Sequence, residues 1–349
     1  MSTPIFYDGT KLLNKKDLNG KEPENVFCVG NRTAGKTFFF SKYIFDNFLI
    51  NDEKFLLIYR NNYELYEVSE KFFGDLQENV YPGIIMFQKT LVKDKIMNLY
   101  IEFTETGEQK HCGYAVSLNS FNVVKKYSHF LNDTKIMFFD EFQSEDNYYL
   151  TDELKKFLSI HTSLARAYGK QRRFLKTIFV SNAVSLINPY FAATDIPERL
   201  RNNTKFLRGN GYVLEFCKIK IEGIEESGVY KTFDSDYLKY ATENVYLNDD
   251  VTNIQKRPNE RNKYLCSFLY KNKEYAIRKY ADCVYVDNSV DKSNPLKFAA
   301  ENKNIKNGYI SKSLKPETIN YLRTYYYNNN FRFKNLESKF ALIRFLCYN

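Results

Sequence analysis

Residues 30–37 read Gly30-Asn31-Arg32-Thr33-Ala34-Gly35-Lys36-Thr37 and decide the fold of the first half of the chain. They match the pattern GxxxxGK[ST], with an apolar, strand-like run before them and a helix-like run, residues 38–49, after them. Glycines at this spacing let successive backbone N–H groups surround phosphate oxygens at the start of a helix, where the dipole also favours anions. The stretch therefore predicts a phosphate-binding loop, or P-loop, between a strand and a helix.

The polar side chains of this loop have predicted roles in holding ATP and Mg²⁺. Lys36 reaches the β and γ phosphates, and Thr37 places its hydroxyl on the metal ion. Gly30 and Gly35 allow close backbone approach. Arg32 either adds a second positive group near the γ phosphate or is a solvated loop arginine. A glycine-containing turn that binds nothing is the alternative interpretation of the whole motif.

A second motif places two adjacent acids after an apolar strand, in the run Lys135-Ile-Met-Phe-Phe-Asp140-Glu141. Open α/β sheets bind their ligands at the carboxyl ends of strands, which is where these acids stand. Asp140 fits the Walker B carboxylate of the Mg²⁺ shell, and Glu141 fits the base that orients and deprotonates water. Together with the P-loop, the acid pair favours ATP hydrolysis over mere binding.

A third strand-like run ends in small polar groups, in Lys176-Thr-Ile-Phe-Val-Ser181-Asn182. Neighbouring strand ends converge in a parallel sheet, so Asn182 or Ser181 is predicted to touch the attacking water or the γ phosphate. The alternative interpretation is a polar strand end that starts a turn.

Strand-like and helix-like runs alternate through the first half, which is typical of an α/β parallel sheet. The predicted strands are 25–30, 54–60, 113–118, 135–140 and 176–181, with a hairpin inserted between residues 83 and 110. After it we expect a linker region that contains one strand-like run, residues 212–221, and then a β meander followed by helices. The predicted domains are an ATPase at 1–197, a linker at 198–235 and a C-terminal α+β domain at 236–349.

Composition and charge limit the classes of protein. The chain has 349 residues, of which 44% are hydrophobic and 27% charged, which predicts a folded protein and excludes disorder along its whole length. The formal net charge is +9, and residues 303–349 hold nine Lys or Arg against two Glu, a local balance of +7. This tail fits RNA, DNA or an acidic protein surface.

Other patterns argue against metal, disulfide and membrane classes. The six cysteines are scattered without a CxxC pair and there are three histidines, so neither a zinc site nor a disulfide framework is expected. The N-terminus lacks a signal-peptide pattern, and no apolar run approaches the roughly 18 residues of a membrane span. We expect a cytoplasmic protein with no membrane partner.

Two basic segments invite a second functional interpretation. Residues 164–176 contain Arg166, Lys170 and Arg172 and no acid, and Lys125-Lys126 precedes the second motif. Each segment is either a solvated basic helix end or the source of a finger that stabilises transition-state charge on a neighbouring subunit's ATP.

With these motifs and the run Ser181-Asn-Ala-Val-Ser-Leu-Ile-Asn-Pro-Tyr-Phe191, the chain resembles the DNA-packaging (encapsidation) ATPases of small phi-29-type tailed phages. The resemblance covers residues 6–191 well and residues 264–287 more loosely. It implies a P-loop NTPase of the additional-strand, catalytic-glutamate type, an ATP-hydrolysing motor that translocates double-stranded viral DNA into a preformed capsid. It also implies a homo-oligomeric ring, a pentamer, docked on the capsid portal in the host cytoplasm.

The family's site residues carry over by motif. The resemblance makes Lys36 and Thr37 the Walker A pair, Asp140 and Glu141 the Walker B acids, and Ser181-Asn182 the coupling motif. The family's trans-acting arginine matches Arg166, Lys170 or Arg172, of which we favour Arg166. Its trans-acting lysine falls at Lys125 or Lys126, and we assign Lys126.

For the C-terminal domain, the resemblance implies an RNase-H-like nuclease fold in degenerate form. An active nuclease of this type has an acid on its first strand, but residues 264–270 have none, although Asp282, Asp287 and Asp291 lie nearby in sequence. We therefore expect docking or nucleic-acid contact without cleavage. Some related phages use a packaging RNA as a ring adaptor, which makes RNA a further candidate partner.

Two other functions fit the same motifs. A P-loop nucleic-acid kinase would pass phosphate to an acceptor and lack DNA-stimulated hydrolysis. A nucleotide-gated structural adaptor would bind ATP without cycling and leave Glu141 idle.

Overall fold

The chain divides into two structural units in a computed structural model. The first unit comprises Met1–Leu186 and Asp195–Asn248, and the second comprises Ile187–Thr194 and Asp249–Asn349. The structure describes residues 6–145, 148–166, 172–185, 188–194, 196–199, 204–219, 228–232, 253–300, 305, 308–328 and 330–347. Each unit has its own sheet and its own hydrophobic core.

A nine-stranded sheet forms the frame of the first unit, in the order β3-β4-β5-β2-β6-β7-β1-β9-β8. The strands are β1 (Asn25–Gly30), β2 (Phe55–Tyr59), β3 (Ile84–Val92), β4 (Ile96–Phe103), β5 (Gln109–Ser117), β6 (Ile136–Asp140), β7 (Lys176–Asn182), β8 (Phe206–Gly209) and β9 (Tyr212–Cys217). The five predicted strands are all present, within a few residues of their predicted ends, and the predicted α/β class is confirmed.

Strands β5, β2, β6, β7, β1 and β9 run parallel. Their side chains are almost entirely buried on both faces of the sheet, as the unbroken apolar runs predict for strands covered by helices. Strand β7 lies between β1 and β6 and pairs with both. One further strand therefore separates the strand that leads into the P-loop from the strand that ends in the acid pair.

The helices between residues 10 and 232 are, in chain order, α1 (Thr10–Leu13), α2 (Lys36–Asn51), α3 (Val68–Asn79), α4 (Phe121–Lys126), α5 (Glu153–Leu164), α6 (Pro189–Ala192), α7 (Ile196–Arg199) and α8 (Gly228–Thr232). Of these, α6 belongs to the second unit. Phe40 and Phe45 of α2 and Phe73 of α3 are fully buried in the main core. Burial of large aromatic side chains of this kind supplies most of the stability of such a layer.

The inserted hairpin is confirmed. Strands β3 and β4 pair antiparallel around a turn at residues 93–95, and β4 pairs antiparallel with β5. Because β3 therefore runs in the same direction as β5, the turn lies at the same edge of the sheet as the carboxyl ends of the parallel strands.

The predicted linker is wrong over residues 206–217. These residues form β8 and β9, and β9 pairs in parallel with β1 along its whole length, from Asn25↔Tyr212 to Gly30↔Cys217. The strand-like pattern of this segment was visible in the sequence, but its partner is 187 residues away and no local pattern identifies it. The first unit is accordingly larger than the predicted 1–197.

The second unit is built on a five-stranded sheet in the order β13-β10-β11-β12-β14. The strands are β10 (Lys263–Tyr270), β11 (Lys273–Lys279), β12 (Val284–Asp287), β13 (Lys297–Ala299) and β14 (Phe331–Phe333), followed or interrupted by helices α9 (Pro316–Tyr327) and α10 (Leu336–Cys347). Strands β10–β12 form the predicted antiparallel meander, while β13 and β14 add in parallel at the two edges. The likeness to RNase H stays a prediction.

Buried aromatic rings fill the core of the second unit. Phe345 of α10 stacks on Phe268 of β10 with ring centroids 4.6 Å apart and also packs against Phe298 of β13. Phe331, Phe333 and Phe345 of the basic tail are thus core residues. Among the described residues no helix is both long enough and apolar enough to cross a membrane.

Candidate nucleotide-binding and hydrolysis site

The predicted P-loop spans the gap between β1 and α2. Strand β1 ends at Gly30, and α2 begins at Lys36 with Gly35 as its N-cap residue. Gly35 has φ +83°, a left-handed conformation that an L side chain rarely adopts, and Thr33 has φ +58°. The loop therefore wraps around the N-terminus of a 16-residue helix, whose free N–H groups and positive dipole end favour a phosphate.

Lys36 joins the loop to the neighbouring strand end. Its side chain is 5% exposed, and its Nζ donates to the carbonyl oxygen of Asn31 at 2.5 Å and to Oδ1 of Asn182 at 3.3 Å. The backbone N–H of Ala183 also donates to the carbonyl oxygen of Gly30 at 3.1 Å. The structure thus brings the predicted coupling residue Asn182 into contact with the predicted phosphate-binding lysine.

The acid pair stands beside the start of α2. Asp140 ends β6, and its carboxyl group lies near the Thr37 hydroxyl, which favours the ionised form. Burial and the neighbouring Glu141 raise the pKa of Asp140 to about 6, against the lowering effect of Thr37. Glu141 is exposed at φ +52°, and its backbone N–H donates to Asp140 Oδ1 at 3.0 Å. The two acids therefore differ in environment, with Asp140 held inward and Glu141 free to meet solvent.

These residues fit a magnesium nucleotide. Mg²⁺ prefers oxygen ligands and combines one or two protein oxygens with phosphate and water. The Thr37 hydroxyl and the Asp140 carboxylate form such a pair of oxygens next to the helix N-terminus. Glu141 is the acid at the site that is placed to accept a proton from water.

Glu145 was not singled out by the sequence motifs. Its two carboxylate oxygens accept hydrogen bonds from Arg32 Nη1 at 3.3 Å and from Asn182 Nδ2 at 3.5 Å. Arg32 thus pairs with an acid, while 39% of its side chain stays exposed. Glu145 joins the P-loop to the coupling residue across the mouth of the site. Its signal in the sequence was its place four residues after Glu141, in the loop that leaves the acid strand.

Arg60 is the second residue that the motifs missed. It follows β2, is 8% exposed, and donates from Nη2 to the carbonyl oxygen of Phe142 at 2.8 Å and from Nη1 to that of Glu141 at 3.5 Å. Its Nε and Nη2 also bind Glu153 at 2.9 and 3.1 Å. A charged residue directly after an apolar strand is the same signal that pointed to Asp140, and it would have identified Arg60.

The predicted trans-acting residues lie away from this site. Arg166 is exposed just after α5, and its neighbour Ala165 accepts a backbone hydrogen bond from Arg173 at 2.8 Å, near the start of β7. A seven-residue strand spans about 20 Å, so Arg166 is near the edge of the sheet opposite to the chain's own P-loop. Lys125 and Lys126 are exposed in the last turn of α4.

The other two candidates for the trans-acting basic residue, Lys170 and Arg172, differ from Arg166 in what the structure shows of them. Arg172 forms an ion pair with Glu24 of the same chain. Lys170 lies outside the described residues. Arg166 forms no ion pair with any residue that the structure describes, which keeps it the favoured candidate.

Comparison with known proteins points to one family. The family profile of the podovirus DNA encapsidation protein (Gp16) matches residues 1–346. The DNA packaging protein of Bacillus phage phi29 is 24% identical over 305 residues, which cover 84% of this chain and 82% of that protein. The DNA packaging protein of Bacillus phage B103 is 24% identical over 320 residues, covering 88% and 92% of the two chains.

Solved structures also share the fold over nearly the whole chain. The Phi-28 gp11 DNA packaging motor aligns with a TM-score of 0.63 at 16% sequence identity, over 99% of both chains.

Proposed function

This chain belongs to the podovirus DNA encapsidation protein (Gp16) family and is a DNA-packaging protein, and from that premise we propose that it hydrolyses ATP with Mg²⁺ to drive double-stranded DNA into a preformed capsid. The observation that carries the proposal is the convergence of Lys36, Asp140 and Asn182 at one edge of the sheet. Lys36 and Asn182 share a hydrogen bond there, and Asp140 lies close to Thr37, the residue after Lys36. Glu141 stands beside them as the base.

The roles of the residues follow from this arrangement. The backbone N–H groups of the P-loop and Lys36 bind the phosphates, and Thr37 and Asp140 hold Mg²⁺. Glu141 takes the proton of the attacking water, and Asn182 responds to the γ phosphate, because it already shares a hydrogen bond with Lys36.

The proposal is tested by phosphate release from the purified assembly with Mg²⁺ and DNA. Glu141→Gln should bind ATP yet lower the rate at least about 100-fold, because a positioned general base contributes that much. Lys36→Ala should lose ATP binding. The matched control is Lys42→Met, which removes an exposed lysine of the same helix away from the loop. Equal rates for wild type and Glu141→Gln would refute the motor.

We further propose that the active unit is a ring, a pentamer, docked on the capsid portal in the host cytoplasm, with double-stranded DNA and, in some family members, a packaging RNA as partners. The position of Arg166 supports a ring, because a group near the far edge of the sheet serves a neighbour's ATP more easily than its own. Lys126 is assigned the same trans-acting role.

Mixing of inactive subunits tests the trans-acting role. Arg166→Ala subunits have an intact P-loop and Lys36→Ala subunits have an intact Arg166, so mixed interfaces should regain hydrolysis. A mixture of Lys36→Ala with Glu141→Gln subunits should not, because both changes damage the same half of the site. Inactivity of the first mixture at every ratio, with assembly intact, would remove the trans assignment.

For the second unit we propose docking or nucleic-acid contact without nuclease activity. Asp287 is 2% exposed and is neutralised by Arg278, with Nη1 to Oδ1 at 2.9 Å, and by Arg257 at 3.6 Å. Two guanidinium groups take the place that a divalent cation would need. Among the described residues no group of three or more His, Cys, Asp or Glu is suited to a metal ion.

This part of the proposal predicts no Mn²⁺-dependent nicking of plasmid DNA by the full chain. The control is Asp287→Asn, which should give the same background. Robust nicking that disappears in Asp287→Asn would overturn it.

A further inference from the structure

The first half of the P-loop is fastened to the chain just beyond β9 by one side chain. Asn31 is completely buried, and its Nδ2 donates to the carbonyl oxygen of Ile219 at 2.8 Å. In return, the backbone N–H of Ile219 donates to Asn31 Oδ1 at 3.0 Å. The last register pair of the two strands is Gly30↔Cys217, so the Asn31 amide continues the ladder after the backbone of residue 31 has turned into the loop.

The two strand ends beneath this contact are packed without spare room. A Cβ atom on Gly30 would stand 2.4 Å from the carbonyl oxygen of Cys217 and 2.2 Å from its Sγ. A glycine is required here by the approach of β9, independently of any phosphate. The beginning of the loop and the end of β9 therefore move as one piece.

The backbone of Asn31 is also hydrogen-bonded to the predicted phosphate-binding lysine, Lys36. The carbonyl oxygen of Asn31 accepts the Lys36 Nζ bond at 2.5 Å. A phosphate that draws Lys36 to itself takes this donor away from the Asn31 peptide and orders the loop around the anion. The backbone of Asn31 thus responds to occupancy, while its side chain is bound to Ile219.

We propose that Asn31 is a positioning residue that transmits the occupancy of the P-loop to residues 217–219, the segment by which the chain leaves the nine-stranded sheet. The inference rests on the proposed ATP site and adds an output to it. In sequence, these residues come before the stretch that ends the first unit at Asn248, after which the second unit resumes at Asp249. Occupancy of the nucleotide site therefore changes the contacts of residues 217–219.

Hydrogen exchange of the full-length assembly, with and without Mg²⁺ and adenylyl imidodiphosphate, tests the inference. In the wild type the nucleotide should slow exchange in residues 213–219 about three- to tenfold, as expected for strengthening of one buried hydrogen-bonded contact. Asn31→Ala should show no nucleotide effect there at saturation. Asn31→Asp, which keeps the oxygen that accepts from Ile219, should keep part of it.

The matched control is Asn25→Ala. Asn25 lies at the other end of β1 and donates from Nδ2 to the carbonyl oxygen of Gly211 at 3.5 Å, so it also connects β1 to the β8–β9 hairpin, but far from the loop. Its variant should keep the full nucleotide effect. A purely structural loss would raise exchange equally with and without nucleotide.

Nucleotide binding is measured separately by calorimetry on each variant. If the wild type fails to bind, the proposed function falls. If it binds and residues 213–219 do not respond, or if Asn31→Ala responds like the wild type, only the present inference falls. Loss of binding in both Asn31 variants would also overturn it, because Asn31 would then build the loop rather than connect it.

Discussion

Arg60 and Glu153 form a buried, two-pronged ion pair beneath the loop that carries Glu141. Arg60 Nε and Nη2 reach the two carboxylate oxygens at 2.9 and 3.1 Å, and Nη2 also holds the carbonyl oxygen of Phe142. Glu141, the proposed base, is thus positioned from its main chain while its own carboxylate stays exposed. This arrangement separates the group that orients Glu141 from the carboxylate that is proposed to react.

Arg60→Met should destabilise the first unit strongly. It leaves the Glu153 carboxylate buried without its partner, which typically lowers the free energy of unfolding by roughly 3–5 kcal/mol. Denaturant unfolding measures the loss.

The double variant Arg60→Met with Glu153→Gln distinguishes folding from catalysis. Neutral replacement of both charges should recover most of the stability, while phosphate release stays about 10- to 100-fold low because Glu141 is no longer aligned. Full recovery of the rate would show that the pair serves stability alone.

Glu145→Gln should lower the KM for ATP. The change weakens the hold on Arg32 and frees it for the γ phosphate. Arg32 and Glu145 are 39% and 34% exposed, and ion pairs at this exposure contribute at most about 1 kcal/mol, so the gain should not exceed about fivefold. Steady-state kinetics measures it.

Lys42→Met is the control for that measurement, because the Lys42–Asp46 pair is similarly exposed at 41% and 33%. It should leave KM unchanged. A rise in KM for Glu145→Gln would contradict the role assigned to the acid.

Mg²⁺ binding should weaken at acid pH. The pKa of Asp140 is raised to about 6, so its carboxylate is mostly ionised above pH 7. Well below pH 6, the ionised fraction falls about tenfold for each pH unit. The Mg²⁺ affinity of the nucleotide complex, measured by calorimetry between pH 5 and 8, should follow that fraction. For an ordinary aspartate the decline would begin only near pH 4.

Asp140→Asn provides the reference for the pH series. Its Mg²⁺ affinity should be low throughout, and its remaining pH dependence is that of the nucleotide. A wild-type curve parallel to this reference would contradict the raised pKa.

Gly30→Ala should destabilise the first unit by about 1–3 kcal/mol or prevent its folding, because the new methyl group has no space next to Cys217. Gly74→Ala is the contrasting change. Gly74 lies within α3 with nothing near its added Cβ, so the free energy of unfolding should rise by roughly 0.5–1 kcal/mol. Thermal unfolding of both variants compares the two effects. Equal loss in both would contradict the close approach.

Local patterns predicted the elements that depend on local chemistry. The apolar runs of β1, β6 and β7 gave central strands, and the positions of Gly35 and Lys36 fixed the join between strand and helix. The pattern also placed a strand at Tyr212, but it could not show that this strand pairs with β1. Pairing partners are decided by tertiary packing, and the sequence pattern reports only which side chains seek burial.

The candidate site was predictable to the same extent. Motif residues such as Asp140 and Asn182 can be recognised in the sequence, because their chemistry requires a fixed position at the end of a strand. Arg60, Glu145 and Asn31 act through partners that are distant in sequence, and their contacts exist only once the sheet has formed.

The placement of β7 between β1 and β6 limits how the two halves of the nucleotide site can come apart. The strands that carry the two halves, β1 and β6, are both hydrogen-bonded to β7. Separating the halves would therefore require breaking a continuous ladder of main-chain hydrogen bonds in the middle of the sheet. Nucleotide binding and release must therefore proceed by movements of side chains and loops at the edge of the sheet. The strands themselves keep their positions and form a rigid base for those movements.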